Sequence, residues 1–186
     1  MVNMKYQRII DRRTQCNNLC NNLYDSNKDV NYLMEMDCID HFFECEIYKT
    51  YESILNFCIA NNFKTIYDIG CAYGHQSEVF INSNINYVGI NNYKHNYWNK
   101  NKYNYISQQY PFKINTRENE LAVSVLCLTW NCYLYNGEQT LKEQCEALQR
   151  DFNNCLLYIS KDKIDYVNKY FKNYRVVDGN LIYFYN

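Results

Sequence analysis

Apolar and polar positions along this chain change their period near residue 65. Before that point the spacing is helical. Cys16, Leu19, Cys20 and Leu23 keep one face of a first helix that ends near Asp25 and Ser26. Val30, Leu33, Met34, Phe42 and Phe43 suggest a second, with looser spacing. Tyr51, Ile54, Leu55, Cys58 and Ile59 fill the i, i+3, i+4, i+7, i+8 template of an amphipathic helix. Asn61 and Asn62 then offer a stop, because Asn tolerates the left-handed conformation that ends many helices.

From Thr65 onward short apolar runs alternate with helical ones. The expected strands are 65–69, 87–90, 103–107, 121–125, 155–159, 175–177 and 181–185. Helices are expected after the first, fourth and fifth. Leu141, Cys145, Leu148 and Phe152 share one face of a helix from about Glu138, and Ile164, Val167, Tyr170 and Phe171 share a face of another. Strands that alternate with helices imply a parallel sheet covered on both sides. The end of the chain differs. Asp178-Gly179 stands between two β-rich runs, a hairpin signal in which both turn positions favour positive φ. The fold class read from this order is α/β: a doubly wound, mostly parallel seven-stranded sheet with a C-terminal antiparallel hairpin and an N-terminal helical cap. Residues 1–48 form the cap and residues 49–186 the sheet domain.

Composition narrows the function classes. The 186 residues are 47% hydrophobic, which excludes a disordered chain, and the net charge of −1 argues against a globally basic nucleic-acid binder. No apolar run is long enough to cross a membrane, and the N-terminal residues lack the apolar core of a secretion signal, so a cytoplasmic protein with no membrane partner is expected. The 10 cysteines form no C-x-x-C pair; Cys16 and Cys20 have no second pair to complete a tetrahedral site. They read as reduced thiols in a core, with no metal. The 21 tyrosines and many asparagines read as the codon bias of an A/T-rich genome, that of a virus or a low-GC microbe.

The stretch TIYDIGCAYGHQSEVF, residues 65–80, holds two of the chain's 5 glycines. It reads as strand, glycine turn and helix start. In doubly wound sheets, ligands bind at the carboxyl ends of the strands near the switch in strand order. Missing Cβ atoms at Gly70 and Gly74 let a ligand approach the backbone, and amides at the helix start can face its polar atoms. The spacing Gly70-x-Ala72-x-Gly74 is not the dinucleotide pattern G-x-G-x-x-G, and no Gly-Lys-Ser/Thr follows for a P-loop.

Asp68-Ile-Gly70-Cys-Ala72-Tyr-Gly74 resembles the first motif of class I S-adenosylmethionine-dependent methyltransferases, an acid-x-G-x-G-x-G turn with Ala at the middle position. The resemblance spans about residues 50–186 and includes the terminal hairpin. The run from Glu120 to Trp130 looks like the family's fourth strand and the turn after it. The resemblance implies S-adenosyl-L-methionine as cofactor and a small-molecule or macromolecular methyl acceptor. By position, Asp68 orients the methionine end, and Gly70, Ala72 and Gly74 line it. Asn91 takes the ribose position, Ser107 and Gln108 lie near the adenine, and Ser124 to Leu126 pass beneath the methionine moiety.

The match has departures. Asn91 stands where the family usually has Asp or Glu, whose carboxylate can accept from both ribose hydroxyls. The motifs that mark amino-group, cytosine-C5 and ribose methylation are missing after strand four, where Leu128-Thr129-Trp130-Asn131 stands. Trp130, Asn131 and Tyr133 are candidate pocket residues, and His41, in the cap, is the candidate base; His75 and His95 are the other two histidines. From Val79 to Arg117 there is no acid, while Lys94, Lys100, Lys102, Lys113 and Arg117 alternate with Tyr93, Tyr97, Trp98, Tyr103 and Tyr105. Cations among rings suit a single-stranded nucleic acid between Lys94 and Lys102, and equally a solvated loop. The alternative function is a catalytically inactive methyltransferase-like protein that binds a protein or nucleic acid.

Overall fold

A computed structural model describes residues 46–71, 74–80, 83–92, 104–125 and 137–186. The chain divides between Thr50 and Tyr51 into two units, and the sheet belongs to the second, Tyr51–Asn186. The two expected N-terminal helices lie outside the described residues; of the expected cap, only residues 46–48 are described, and they open helix α1 (Glu46–Ala60).

The sheet has seven strands: β1 (Thr65–Ile69), β2 (Asn86–Asn91), β3 (Asn104–Ser107), β4 (Glu120–Val125), β5 (Asn154–Tyr158), β6 (Asn173–Asp178) and β7 (Leu181–Tyr185). Their spatial order is β3-β2-β1-β4-β5-β7-β6. β1 pairs in parallel with β2 and β4, β2 with β3, and β4 with β5. β7 runs antiparallel to both β5 and β6. The order reverses between β1 and β4, which is the switch point where ligands of such sheets bind.

The central strands are buried because both faces are covered. Leu121, Ala122, Val123 and Ser124 of β4 and Cys155, Leu156 and Leu157 of β5 are all buried. Continuous rather than alternating burial is the mark of a parallel sheet between two layers. The β6 edge carries polar Asn173, Arg175 and Asp178 among exposed Tyr174 and Val176, and only Val177 is half-buried. Such edges discourage pairing with another chain.

Helix α1 buries Tyr51, Ile54, Leu55 and Cys58 as its spacing predicts, but Ile59 is 62% exposed. Phe57 is buried in its place, against Phe63 and Tyr183. The helix ends in a Schellman motif. Asn62 has φ 59°, its amide donates to the Ile59 carbonyl at 3.3 Å, and the Phe63 amide donates to the Cys58 carbonyl at 3.0 Å. The stacked Phe57 and Phe63 rings are the hydrophobic contact that accompanies this cap.

Helix α2 (Gly137–Asp151) presents Leu141, Cys145 and Leu148 to the core, with Phe152 just beyond its end. Full burial of each Leu or Phe contributes about 1.5–3 kcal/mol. The crossover from β3 to β4 has no helix. It is an extended loop fastened to α2: the Gln144 amide donates to the Tyr110 carbonyl at 2.9 Å, Arg150 to the Phe112 carbonyl at 3.2 Å, and the Thr116 hydroxyl to the Asp151 carbonyl. The helix expected around Ile164 is broken into a short α-helix α3 (Ile164–Val167) flanked by 3₁₀ turns at Lys161–Lys163 and Asn168–Tyr170. Val167 and Phe171 are nevertheless buried. Cys58, Cys71, Cys145 and Cys155 are buried thiols outside any disulfide, as core cysteines are. Among the described residues no cluster of His, Cys, Asp or Glu can hold a metal, and no helix is long and apolar enough to cross a membrane.

The C-terminal hairpin differs in detail from its sequence signal. Asp178 pairs with Leu181, so the two turn residues are Gly179 and Asn180. Only Gly179 has positive φ, 53°, at the first central position, as in II′ turns. A Cβ added at Gly179 would meet nothing within 4 Å, so only backbone strain opposes it. Gly179→Ala is expected to lower unfolding stability by about 1 kcal/mol in urea titration, with no change in fold by circular dichroism.

Candidate functional site

The carboxyl end of β1 carries an acid inside an apolar strand. Burial alone would make Asp68 costly unless its oxygens find donors. Its side chain shares the period-2 face of Ile66 and is 0% exposed. Three side chains from three different elements meet it. Tyr51, on the buried face of α1, donates to Oδ1 and Oδ2 at 3.1 and 3.0 Å. Tyr87 of β2 donates to Oδ2 at 2.5 Å. The Gln76 Nε2 donates to Oδ2 at 2.7 Å. Strand register explains the Tyr87 contact. Asp68 pairs with Gly89, and Tyr87 pairs with Ile66 two residues back, so Gly89 puts no side chain between phenol and carboxylate.

Burial pushes the Asp68 carboxyl up to about 6, while the bonds from Tyr87, Gln76 and Tyr51 hold it back. Burial, then the Asp68 charge, drives Tyr51 and Tyr87 well above the ordinary phenol value. At neutral pH the centre therefore holds one carboxylate facing phenols that stay protonated.

Above Asp68 the chain turns through Gly70, with φ 76°, and Gly74, with φ 75°, values that favour glycine. Gly70 and Cys71 amides both donate to the Ile90 carbonyl at the end of β2, at 2.9 and 3.1 Å. The Gly74 amide donates to the Cys71 carbonyl at 2.9 Å, and the Ser77 amide to the Gly74 carbonyl at 3.0 Å. Gln76 also donates to the Cys71 carbonyl at 2.8 Å. The segment after the turn is a six-residue 3₁₀ helix, His75–Phe80, and these four amides are spent inside the protein. A 3₁₀ piece this short forms because the tight turn closes its own i→i+3 bonds. Gly70 and Gly74 leave the backbone of this turn without Cβ atoms.

The structure brings several sequence-derived positions to one end of the sheet. Gly70 and Gly74 follow β1. Asn91 ends β2 and Ser107 ends β3, paired with each other in the parallel ladder. Ser107 and Gln108 are exposed, and Asn91 is half-buried. Ser124, buried on β4, donates its hydroxyl to the Ile69 carbonyl at 3.1 Å and so binds the two strands at the switch point. Ala72, Leu126, Trp130, Asn131, Tyr133, His41, His95 and the stretch from Lys94 to Lys102 lie outside the described residues, as does the His75 side chain.

Sequence reasoning does not find Tyr51, Gln76 and Tyr87 as a set. The one signal for them is the acid in an apolar strand: it demands donors, and phenols on buried faces can supply them. Ser77, beside Gln76, is fully buried, and its hydroxyl has no partner.

No protein-family model matches the chain, and no curated protein matches its sequence. Solved structures do match its fold. Magnesium protoporphyrin IX methyltransferase (ChlM) from Synechocystis PCC 6803, solved with bound SAM, aligns with TM-score 0.57 at 11% identity, covering 86% of this chain and 86% of that one. WbdD, a bifunctional kinase-methyltransferase, aligns with TM-score 0.52 at 14% identity over 85% of this chain, which spans 41% of WbdD. The seven-stranded sheet with its antiparallel β7 is thus the class I methyltransferase fold.

The raised Asp68 pKa makes stability depend on pH. Its carboxyl titrates near 6 when folded against an ordinary 3.8. Between those values the native chain holds a proton that the unfolded chain has released. The contribution is full below about 3.8, is lost as pH rises through about 6, and is flat above. Unfolding measured from about pH 4 to about pH 7 should show wild type losing about 2 kcal/mol relative to Asp68→Asn, whose amide does not titrate. Parallel pH profiles for the two proteins would contradict this.

Proposed function

We propose that this protein is an S-adenosyl-L-methionine-dependent methyltransferase acting on a small-molecule, RNA or protein acceptor. The observation that carries the reading is the positive-φ glycine turn at the carboxyl end of β1, beside the switch point of a class I methyltransferase fold. A nucleoside with a sulfonium and no phosphate needs only close approach to a backbone without Cβ atoms. The residues present fit that group. Gly70 and Gly74 would allow the approach, Asn91 at the end of β2 would meet the ribose hydroxyls, and Ser107 and Gln108 offer exposed polar groups at the next strand end.

When bound, the cofactor supplies a methyl group already activated by the sulfonium. The protein's part is to bind, orient and exclude water. The turn and the ends of β2 and β3 do the first two. Trp130, Asn131 and Tyr133, which follow β4 in the chain, and His41 are the proposed acceptor-side residues, with any proton on the acceptor passing to a base such as His41. The cations and rings between Lys94 and Lys102 would carry an RNA acceptor.

One observation favours a second reading, a methyltransferase-like binding protein without catalysis. Asn91 brings no charge to the ribose position, and the Asp68 carboxylate is engaged inside the protein. Charge-assisted bonds are about twice as strong as neutral ones, so both features lower the expected affinity.

Calorimetric titration with S-adenosylhomocysteine separates the readings. Binding in the micromolar range, lost in Gly70→Val whose Cβ and branch fill the approach, is the expected result. A folded wild type that takes up no ligand at millimolar concentration would leave the binding-protein reading.

A further inference from the structure

We infer that Asp68 is a positioning residue that works from beneath the glycine turn, with Gln76 as the arm that reaches it, and that neither side chain touches the bound nucleoside. This rests on the proposed cofactor reading, and it departs from the role that the first motif assigns to its acid.

The hydrogen-bond geometry supports it. Asp68 has no exposed surface, and its Oδ2 already accepts from three donors while Oδ1 accepts from Tyr51. Oδ1 keeps one acceptor site, and it is burial that keeps a ligand ammonium from it. Gln76 has two N–H groups to give from one nitrogen, and both are used: one on Asp68 Oδ2, one on the Cys71 carbonyl. Cys71 in turn hangs by its amide from the Ile90 carbonyl. The path from carboxylate to turn is therefore a single amide group. Tyr51 ties the same carboxylate to α1, and Tyr87 ties it to β2. The titratable groups that face Asp68 are Tyr51, Tyr87 and Cys71, and burial keeps both phenols neutral.

An amide at position 68 can reproduce most of this pattern. Its oxygen can take the Oδ2 place and accept from Gln76 and Tyr87. Its nitrogen can take the Oδ1 place and donate to the Tyr51 oxygen, since a phenol accepts as well as donates. An alanine can do neither and strands the donors.

The test measures S-adenosylhomocysteine affinity by calorimetry and urea unfolding midpoints on wild type, Asp68→Asn, Asp68→Ala and Gln76→Ala. Asp68→Asn should bind within about threefold of wild type. Gln76→Ala should keep its midpoint, because Asp68 retains two phenol donors, yet bind about tenfold more weakly as the turn loses its anchor. Asp68→Ala should unfold at clearly lower urea than Asp68→Asn. Loss of affinity by about a hundredfold in Asp68→Asn at an unchanged midpoint would show direct contact with the ligand and overturn the inference. So would unaltered affinity in Gln76→Ala. If wild type itself takes up no ligand, the cofactor reading falls, and the unfolding arm still decides the internal role. Equal midpoints for the alanine and asparagine variants would then refute it.

Discussion

A single buried carboxylate organises the ligand end of this sheet. Asp68 sits in a strand whose neighbours are apolar, and an ionised group there is tolerable only if donors surround it. The donors come from α1, β2 and the segment after the glycine turn, which stand 17, 19 and 8 residues away along the chain. Satisfying one charge therefore fixes three elements at once. Such a network is rigid when complete, and removing the acceptor at its centre strands every donor.

The rigidity bears on the turn above it. Gly70, Cys71, Gly74 and Ser77 spend their amides on carbonyls of the turn and of β2, and Gln76 closes the circuit back to Asp68. The outward side is then backbone without side chains at Gly70 and Gly74. Under the proposed reading, specificity for a nucleoside falls to the strand ends beside it, where Asn91 and Ser107 stand in register. The engaged Asp68 and the uncharged Asn91 fit one pattern under that reading, a site that relies on fit and neutral hydrogen bonds more than on charge.

Much of the fold was legible in the sequence because the period of apolar residues reports which faces are buried. All seven expected strands are present, the face of α2 is buried as its spacing requires, and Asn62 adopts the left-handed cap. Ile59 misled because the apolar stripe continues past the helix's buried arc, while Phe57, off the stripe, finds two rings to pack on. The segment after Gly74 reads as a helix start, but its turn is too tight for i→i+4 bonding. The site was legible only in outline. Strand order placed Gly70, Asn91 and Ser107 at one end. The convergence of Tyr51, Gln76 and Tyr87 on Asp68 was not visible, because it depends on register and on how α1 lies over β1, which no local period encodes.

The central claim is that a sulfonium nucleoside lies over the turn between β1 and the 3₁₀ segment. A crystal structure of the protein grown with S-adenosylhomocysteine tests it most directly. The account predicts ligand density packed on the bare backbone of Gly70 and Gly74, ribose beside Asn91, adenine toward Ser107, and the Asp68 carboxylate still bonded to Tyr51, Gln76 and Tyr87. Density elsewhere on the protein, or a native protein whose turn stays empty at saturating ligand, would contradict it.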